Sequence, residues 1–349
     1  MPKRVEGVPW VSVGMRWQLV RRRRGAGPCA GALRAAALRR VDPVFRVATV
    51  NVNGIRAAQR RGFEAWSAGR RCDVVALQEV RCPVPMLPPG VFGDYHLTYD
   101  AGTLAGRNGV AVLTREAPGA VRTWGAPVLR RSPGQEHETL EAIEPGRLAR
   151  ELKPFVAQGR YVEVDLADRP VTIASLYLPK GGLPAERQKP GRMREAPDGG
   201  ARFERKMRFM AGFARHITAA RRAALVQGRE FLLLGDLNIA HTPQDVSNWR
   251  RNVRSEGFLP QEREWFGELV GPRRLVDVVR SLHPEADGPY SWWSWLGDSF
   301  VNDTGWRIDY HLATPRLART AVAAVTDREE SPAARLADHA PVVVDYDLA

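Results

Sequence analysis

The sequence predicts one mixed α/β domain with many strands. Short apolar segments recur along the chain, several with the alternation of half-buried strands, and helical or loop material lies between several of them. No break in composition divides the chain after residue 44, and 349 residues are ample for one large core. The hydrophobic content of 44% and the charged content of 26% are typical of a soluble globular protein.

The individual elements follow from periodicity. The predicted strands are residues 47–52, 74–77, 109–114, 161–166, 171–177, 231–234, 308–312, 321–325 and 342–346. The clearest helix is 203–225, which places apolar side chains on one face and Arg and Lys on the others. A second helix begins at Pro260, a residue favoured in the first turn. Residues 130–154 and 181–202 lack periodicity and are predicted as loops.

The charge of the chain favours a polyanionic partner. The formal net charge is +13, and a surplus of Arg suits phosphate contacts on nucleic acid or an anionic membrane surface. A basic tail or codon bias would also explain part of this excess. No apolar run approaches the length of a bilayer span, so we expect no integral membrane segment. Cys29, Cys72 and Cys82 are too few for a disulfide framework, which predicts reduced thiols and a cytoplasmic location.

Residues 1–43 differ from the rest of the chain. They are rich in Arg and small residues and carry Glu6 as their only acid before Asp42. An organellar transit peptide and a basic arm on DNA are both compatible with this composition. We favour a disordered, dispensable extension, which divides the chain into residues 1–43 and a domain of residues 44–349.

Polar side chains follow many of the predicted strands, at the point where apolar sequence turns polar. They are Asn51, Asn53, Glu79, Tyr177, Asp236, Asn238, Asp309, Asp338 and His339. Each alone is a weak signal, since Asn-Gly is usually a turn and a lone His is usually structural. Together they predict a site, because carboxylates and amides are the oxygen ligands that Mg²⁺ prefers and an Asp beside a His suits a hydrolytic base.

At these residues the sequence resembles the exonuclease III-type AP endonucleases of the endonuclease/exonuclease/phosphatase superfamily. The matching stretches occur in family order from residue 45 to the C-terminus: VATVNVNGIRA (47–57), VALQE (75–79), NGVAVL (108–113), YLP (177–179), GDLNIAH (235–241), GFLPQER (257–263), GWRIDY (305–310) and DHAP (338–341). The resemblance implies an α/β (α+β) fold, a four-layered α/β sandwich of two packed, mostly antiparallel sheets flanked by helices. It also places the active site at the edge where strand ends from both sheets converge.

The resemblance further implies a Mg²⁺ site, in which Mn²⁺ can substitute, with Glu79 as the main ligand and Asn51 and Asp338 beside it. The full predicted metal-site set is Asn51, Glu79, Asp236, Asn238, Asp338 and His339. The predicted catalytic set is Tyr177, Asp236, Asn238, Asp309 and His339. Asp309 orients the imidazole of His339, and Asn238 and Tyr177 donate to phosphate oxygens. Either Asp236 or His339 takes the proton of the attacking water, and the sequence leaves this choice open.

The resemblance also indicates which residues contact the substrate. The predicted set is Asn53, Arg56, Asn252, Trp292, Trp306 and Arg307. The two Trp residues would line a pocket for a flipped abasic sugar, and the Arg residues suit the DNA backbone. Arg107 and Lys180 depart from the family pattern and add positive charge, which leaves the balance of AP-endonuclease and 3′-exonuclease activity open.

These expectations combine into a Mg²⁺-dependent DNA repair nuclease that cleaves 5′ of abasic sites and at 3′ ends. Its partner is double-stranded DNA, and we expect a monomer. One alternative is a phosphoesterase of the same superfamily that acts on RNA, lipid or inositol phosphate. Another is a DNA-binding protein without catalysis, although the intact Glu79, Asp236 and His339 argue against it.

Overall fold

A computed structural model of the chain describes residues 44–125, 127–135, 138–140, 148–191 and 196–348. These residues belong to one compact unit, Asp42–Ala349. The predicted extension, residues 1–43, lies outside the described residues. No helix within the described ranges is both long and apolar enough to cross a bilayer.

Two β-sheets form the centre of the described structure. The first has eight strands in the order β13-β14-β1-β2-β4-β3-β6-β7 among the described residues. Their bounds are β1 Val44–Asn51, β2 Val74–Gln78, β3 His96–Asp100, β4 Val110–Thr114, β6 Val128–Arg131, β7 Glu138–Leu140, β13 Ala321–Thr326 and β14 Val342–Asp347. β1 and β2 run parallel, and β1 pairs antiparallel with β14 on its other side.

The second sheet has six strands in the order β11-β12-β10-β9-β8-β5 within the described ranges. Their bounds are β5 Ala120–Arg122, β8 Tyr161–Asp165, β9 Val171–Tyr177, β10 Glu230–Asp236, β11 Val276–Asp277 and β12 Asp309–Ala313. β9 and β10 run parallel, whereas β12 runs antiparallel to β10. Each sheet therefore contains one parallel pair whose carboxyl ends share an edge.

Helices lie against both sheets. Their bounds are α1 Ile55–Arg60, α2 Phe63–Arg70, α3 Ala201–Val226, α4 Trp249–Asn252, α5 Pro260–Leu269, α6 Val278–Leu282 and α7 Pro315–Ala318. Side chains of α1 and α2 share one apolar cluster with the first sheet, and those of α3 and α5 share another with the second sheet. A third cluster contains residues of both sheets. The predicted four-layered sandwich is confirmed.

The strand β10 shows why a four-residue apolar run precedes the polar segment 235–241. Leu232 and Leu234 belong to the cluster between the sheets, while Phe231 and Leu233 belong to the cluster under the helices. All four side chains are completely buried. Because successive side chains of a strand point to opposite faces, a strand covered on both faces is apolar throughout.

Most predicted elements are present, with ends shifted by a few residues, but several were missed. The missed strands are β3, β5, β6, β7 and β11. All but β3 have four residues or fewer, and β7 lies in a segment predicted as a loop. The predicted polar faces of α3 were wrong at one position. Lys206 is completely buried, because Glu262 on α5 and two backbone carbonyls satisfy its ammonium group.

A buried histidine connects the two sheets. Nε2 of His311 on β12 lies 3.1 Å from the carbonyl oxygen of Val342 on β14, and Nδ1 lies 3.3 Å from the hydroxyl oxygen of Tyr346. Since a carbonyl can only accept, Nε2 carries the hydrogen and Nδ1 accepts from the phenol. Burial lowers the pKa of His311 from 6.5 to about 4. The fold therefore binds this imidazole in its neutral form.

We expect the stability of the protein to fall as pH drops from 6.5 through about 4. In this window the unfolded chain protonates His311 while the folded chain does not, so protonation favours unfolding. The loss amounts to roughly 3 kcal/mol at most for one such histidine. The free energy of unfolding is measured by urea titration at several pH values. Between pH 6.5 and about 4 it should fall less steeply with decreasing pH for His311→Gln than for the native protein. An unchanged slope would contradict this assignment. The pH dependence that remains in His311→Gln would include the contribution of His216, because burial also lowers the pKa of His216 to about 4.

Candidate active site

The strand register brings the predicted polar residues to one edge of the sandwich. Asn51 ends β1 and lies opposite Gln78, the last residue of the parallel strand β2. Asp236 ends β10 and lies between Tyr177 at the end of β9 and Asp309 at the start of β12. Carboxyl ends of parallel strands meet at one edge, and an antiparallel neighbour begins there. The convergence is therefore a direct result of topology.

Asn51 connects the two sheets at this edge. Its Nδ2 donates to Oε1 of Glu79 and to Oδ2 of Asp236, each at 2.9 Å. Its Oδ1 accepts from the backbone N–H of Asn53 at 3.0 Å. Both carboxylates are buried, and the amide places them side by side. Two adjacent carboxylates with free lone pairs are the type of donor set that binds a hard divalent cation.

His339 lies between two carboxylates. Nδ1 donates to Oδ2 of Asp309 at 2.8 Å, and Nε2 lies 3.8 Å from Oδ2 of Asp236. The hydroxyl of Ser291 donates to the same Asp309 oxygen at 2.6 Å and accepts the backbone N–H groups of Ile308 and Asp309. This arrangement sets the tautomer and the ring orientation of His339, because Nδ1 is occupied and only Nε2 is left for chemistry.

Burial and neighbouring charges act on the pKa of both partners in this pair. Burial raises the pKa of Asp236, and the negative charges of Asp309 and Glu79 raise it further, against the opposing effect of His339. Burial alone would lower the pKa of His339, but Asp309, by its charge and hydrogen bond, and Asp236 raise it overall. The carboxyl and the imidazole therefore titrate far from their ordinary ranges, as is common at functional sites.

Asn238 packs tightly beside Asp236. Its backbone has a φ of 49°, in the left-handed region. Its N–H donates to Oδ1 of Asp236 at 2.8 Å, and its Nδ2 donates to the carbonyl oxygen of Leu178 at 2.9 Å. Asn adopts the left-handed region more readily than most residues because its side chain bonds locally. The Asp-x-Asn spacing thus forms a turn that directs both side chains to the same edge.

Tyr177 completes the wall of the site next to Glu79. Burial raises the pKa of its phenol far above the ordinary value, and the negative charges of Glu79 and Asp236 raise it further. The guanidinium of Arg160 lies 5.0 Å from the centre of its ring and donates to its backbone carbonyl at 3.0 Å. The hydroxyl therefore stays protonated and is able to donate a hydrogen bond.

Asp338 stands apart from the paired carboxylates. Its Oδ1 accepts from Nδ2 of Asn53 at 2.7 Å, and its Oδ2 accepts from the indole N–H of Trp292 at 3.1 Å. Arg81 connects this group to Glu79, since it donates to Oδ1 of Asn53 at 2.5 Å and forms an ion pair with the Glu79 carboxylate. Asp338 therefore holds the indole of Trp292 in place. It is connected to Glu79 through Asn53 and Arg81.

A group of aromatic side chains adjoins the site. Trp292 and Trp306 are half-buried and pack, with Trp249 of α4, on a cluster of Ala240, Val246, Phe258 and Ile308. The backbones of Trp292 and Trp306 pair with each other, and Trp292 also pairs with His339. The indole of Trp292 thus lies directly beside the edge where the strand ends converge, with an apolar wall behind it.

The remaining predicted substrate residues differ in their placement. Arg56 on α1 is exposed. Asn252 is partly exposed, and its Nδ2 donates to the carbonyl oxygen of Ser247 at 3.1 Å. Arg307 is 1% exposed, contrary to its prediction as a DNA backbone contact. Its guanidinium forms ion pairs with Asp245 and Asp277, which hold it inside the protein.

Three side chains could hold a metal ion together. One ligand atom from each of Glu79, Asp236 and His339 lies within 4.8 Å of the others in the described structure. The amide of Asn51 adjoins the two carboxylates of this group. The residues fit a divalent cation with oxygen ligands, and no restriction on which cation follows from the geometry.

Sequence reasoning missed Arg81, Arg160 and Ser291 at the site. Arg81 lies two residues after Glu79, and Ser291 lies within the Trp-rich segment, so proximity to the matched stretches was a usable signal. Arg160 immediately precedes β8 and reaches the site by folding alone. His241 packs on the ring of Phe266 with centroids 4.7 Å apart.

Comparisons with known proteins agree with this geometry. The exodeoxyribonuclease of Bacillus subtilis (strain 168) is 26% identical over 296 residues, which cover 84% of this chain and 95% of that protein. The DNA repair nuclease APEX1 of Danio rerio is 25% identical over 304 residues, covering 86% of this chain and 81% of that protein. The structure of an AP endonuclease from Archaeoglobus fulgidus superimposes with a TM-score of 0.65 at 22% identity, covering 87% and 99% of the two chains.

The sequence pattern of one family spans most of the domain. It matches residues 48–339, which include every residue of the convergent edge from Asn51 to His339. The solved structure supports the fold, and the family match extends across both sheets. The chain belongs to the Endonuclease/Exonuclease/phosphatase family.

Proposed function

We propose that this protein is a Mg²⁺-dependent DNA repair nuclease that hydrolyses the backbone 5′ of abasic sites and at 3′ ends. The observation that supports this most is that Asn51, Glu79, Asp236 and the Asp309–His339 pair meet at one edge. The side chains of Trp292 and Trp306 lie beside that edge. The names of the relatives, an exodeoxyribonuclease and a DNA repair nuclease, favour DNA as the substrate.

In this proposal Glu79 and Asn51 hold the Mg²⁺, with Asp236 at its edge and Asp338 on the far side of Arg81. When bound, the cation supplies charge neutralisation at the scissile phosphate and at the leaving oxygen. Asn51 already aligns the two carboxylates through its two hydrogen bonds of 2.9 Å. The oxygen of the Asn51 amide accepts from Asn53, and Arg81 pairs with Glu79, so binding of the ion would require the amide to turn and the guanidinium to withdraw.

The proton chemistry falls to Asp236 and His339. Asp309 raises the pKa of His339, so the imidazole carries a proton near neutral pH and Nε2–H can donate to a phosphate oxygen. Asp236 is then the base that accepts the proton of the attacking water, since its Oδ2 lies 3.8 Å from Nε2 and faces the same space. This assignment chooses between the two bases that the sequence left open.

Asn238 and Tyr177 stabilise charge that develops on the phosphate. The Asn238 side chain is partly exposed at the edge of the site, and the Tyr177 hydroxyl is kept protonated by burial beside Glu79. Both are neutral donors, so they strengthen as oxygen charge grows without opposing the cation. Trp292 and Trp306 offer an apolar wall to an abasic sugar, and the net charge of +13 attracts the duplex.

The proposal is tested with a labelled duplex that carries one abasic-site analogue and with an undamaged duplex that has a recessed 3′ end. We expect Mg²⁺-dependent cleavage of the first duplex and shortening of the second. EDTA should abolish both activities, because the proposal assigns charge neutralisation to the cation. Cleavage that survives EDTA would contradict the metal requirement, and inactivity on both duplexes in Mg²⁺ would contradict the DNA repair function.

The alternatives remain distinguishable in the same experiment. A phosphoesterase for RNA, lipid or inositol phosphate would be inactive on both duplexes yet release phosphate or nucleotide from its own substrate in Mg²⁺. A DNA-binding protein without catalysis would slow the migration of both labelled duplexes in a mobility-shift assay and would cleave neither. The cytoplasmic location, the monomeric state and the dispensable extension of residues 1–43 stay predictions.

A further inference from the structure

One buried cation lies behind the site and is unused by the chemistry described above. Lys206, in the second turn of α3, is 0% exposed, as is its ion-pair partner Glu262 on α5. Its Nζ donates to Oε1 of Glu262 at 2.6 Å, to the carbonyl oxygen of Asn238 at 2.9 Å and to that of Lys180 at 3.1 Å. All three hydrogens of the ammonium group are therefore used.

These contacts join four segments at one point. Asn238 follows β10, and Lys180 follows β9, so the ammonium group ties together the exits of the parallel pair that carries Asp236 and Tyr177. The carboxylate of Glu262 is fixed in turn, because its Oε2 accepts the backbone N–H of Leu259 at 3.0 Å. Lys206 is thus held by the first turn of α5 and in turn holds both strand exits.

The contact with Asn238 acts on a turn with a left-handed backbone. Asn adopts a φ of 49° more readily than most residues, but this conformation still costs free energy that its surroundings must offset. On one side, the N–H of Asn238 donates to Asp236, and on the other its carbonyl accepts from Lys206. Without the ammonium group, the carbonyls of Asn238 and Lys180 would each lose the hydrogen bond from Lys206. The conformation of the turn would then be less stable.

The backbone near Lys206 leaves room for its side chain. Gly181 has a φ of 86°, and a Cβ on it would lie 2.6 Å from Cδ of Lys206. A side chain on residue 181 would therefore require the stem of Lys206 to move. The path of the loop, the glycine and the buried ion pair form one packed unit.

We propose that Lys206 is a positioning residue for the reaction, which holds the Asp236–Asn238 turn in its active geometry through the carbonyl oxygen of Asn238. This inference rests on the proposed function, because it assigns the turn to phosphate binding and proton transfer. A buried ion pair by itself is weak support for stability, since apolar or neutral residues of similar size often replace one at little cost. Lys206 makes two further hydrogen bonds, and these are the ones that reach the site.

The test is a double variant, Lys206→Met with Glu262→Gln. It removes the cation without leaving a buried carboxylate unpaired, and the amide oxygen of the introduced glutamine can still accept from the N–H of Leu259. Two quantities are measured in the full-length protein: the kcat and KM for the abasic duplex, and hydrogen exchange at the backbone amide of Asn238. We expect kcat to fall on the order of tenfold or more, with a smaller change in KM, because a misplaced turn affects the reacting geometry. Exchange at Asn238 should accelerate on the order of tenfold, since its bond to Asp236 opens more often.

A control removes a partly exposed ion pair far from the site. Arg46 and Asp345 pair at 2.7 Å near the start of β1, at the opposite end of the strand from Asn51. The variant Arg46→Met with Asp345→Asn should keep kcat and the Asn238 exchange rate within about threefold of the native values. If the control falls as far as the Lys206 variant, the effect is general destabilisation and the assignment is wrong.

A second variant covers the case in which the double variant does not fold. Gly181→Ala displaces the stem of Lys206 without any change of charge. It should also lower kcat and accelerate exchange at Asn238. A folded variant of either kind with native kcat, or with native exchange at Asn238, would overturn the proposal. If the native protein cleaves neither duplex, the proposed function fails, whereas the exchange measurement still tests the role of Lys206 in holding the turn.

Discussion

Replacement of His339 by glutamine should reduce cleavage of the abasic duplex on the order of 1000-fold at saturating substrate. The imidazole is buried between Asp309 and Asp236, and the proposed mechanism assigns its Nε2–H as the cationic donor to the phosphate. Glutamine keeps a hydrogen-bond donor of similar length but carries no charge, so it cannot match the growing charge of the oxyanion. The measurement is kcat in Mg²⁺, with thermal unfolding recorded in parallel.

A second histidine provides the control for this prediction. His241 lies in the same motif as Asp236 but packs on Phe266, away from the edge. His241→Gln should therefore keep kcat within about threefold of the native value. If His241→Gln lost activity and His339→Gln retained it, the pairing of Asp236 with His339 would be wrong. If His339→Gln kept more than about a tenth of the native kcat, the proposed role of His339 would be wrong.

Replacement of Glu79 by glutamine should weaken binding of the divalent cation on the order of 100-fold. Glu79 provides a carboxylate that Asn51 aligns with Asp236, and Mg²⁺ binds carboxylate oxygen far better than a neutral amide oxygen. Calorimetric titration with Mg²⁺, and with Mn²⁺ as a second probe, measures this affinity without turnover. Cleavage at low Mg²⁺ should fall on the order of 1000-fold and recover in part as Mg²⁺ rises.

The control for Glu79 is an exposed acid on a neighbouring helix. Glu264 on α5 is exposed to solvent. Glu264→Gln changes the net charge of the protein by the same amount and should leave the affinity for Mg²⁺ unchanged. Equal affinity for Mg²⁺ in Glu79→Gln and the native protein would show that the ion binds elsewhere.

Much of the fold was predictable because its signals are local. Short apolar segments identified nine of the observed strands, including the four-residue run of β10. The helix α5 was placed from Pro260 and the apolar positions after it. Short strands such as β5 and β11 were missed, because two or three residues are too few for a period to show and their pairing comes from neighbours distant in sequence.

The sequence predicted which residues lie at the site better than which of them contact each other. Asp236 and His339 each follow a recognisable pattern, and both lie at the edge where they were expected. Their pairing, and the exclusion of the nearer His241, depends on how β10, β12 and β14 align. Side chains 103 residues apart in sequence, at 236 and 339, meet only because two sheets pack face to face.

Charged residues show most clearly where sequence reasoning ends. Arg307 and Lys206 carry the same side-chain types that cover the protein surface, yet both are buried. Arg307 is satisfied by Asp245 and Asp277, and Lys206 by Glu262 and two carbonyl oxygens. Burial of a charge depends on partners that are distant in the chain, since an unpaired charge would be too costly to bury.

By itself, the sequence determined nine of the strands and the polar groups that follow them, and its resemblance to a known family indicated the edge at which those groups meet. It did so because periodicity and local turns are written into neighbouring residues. The tertiary structure alone decided which groups touch: Asn51 between Glu79 and Asp236, and Asp309 behind His339. These contacts join segments from opposite ends of the domain, and only the packing of the two sheets brings them within hydrogen-bond distance.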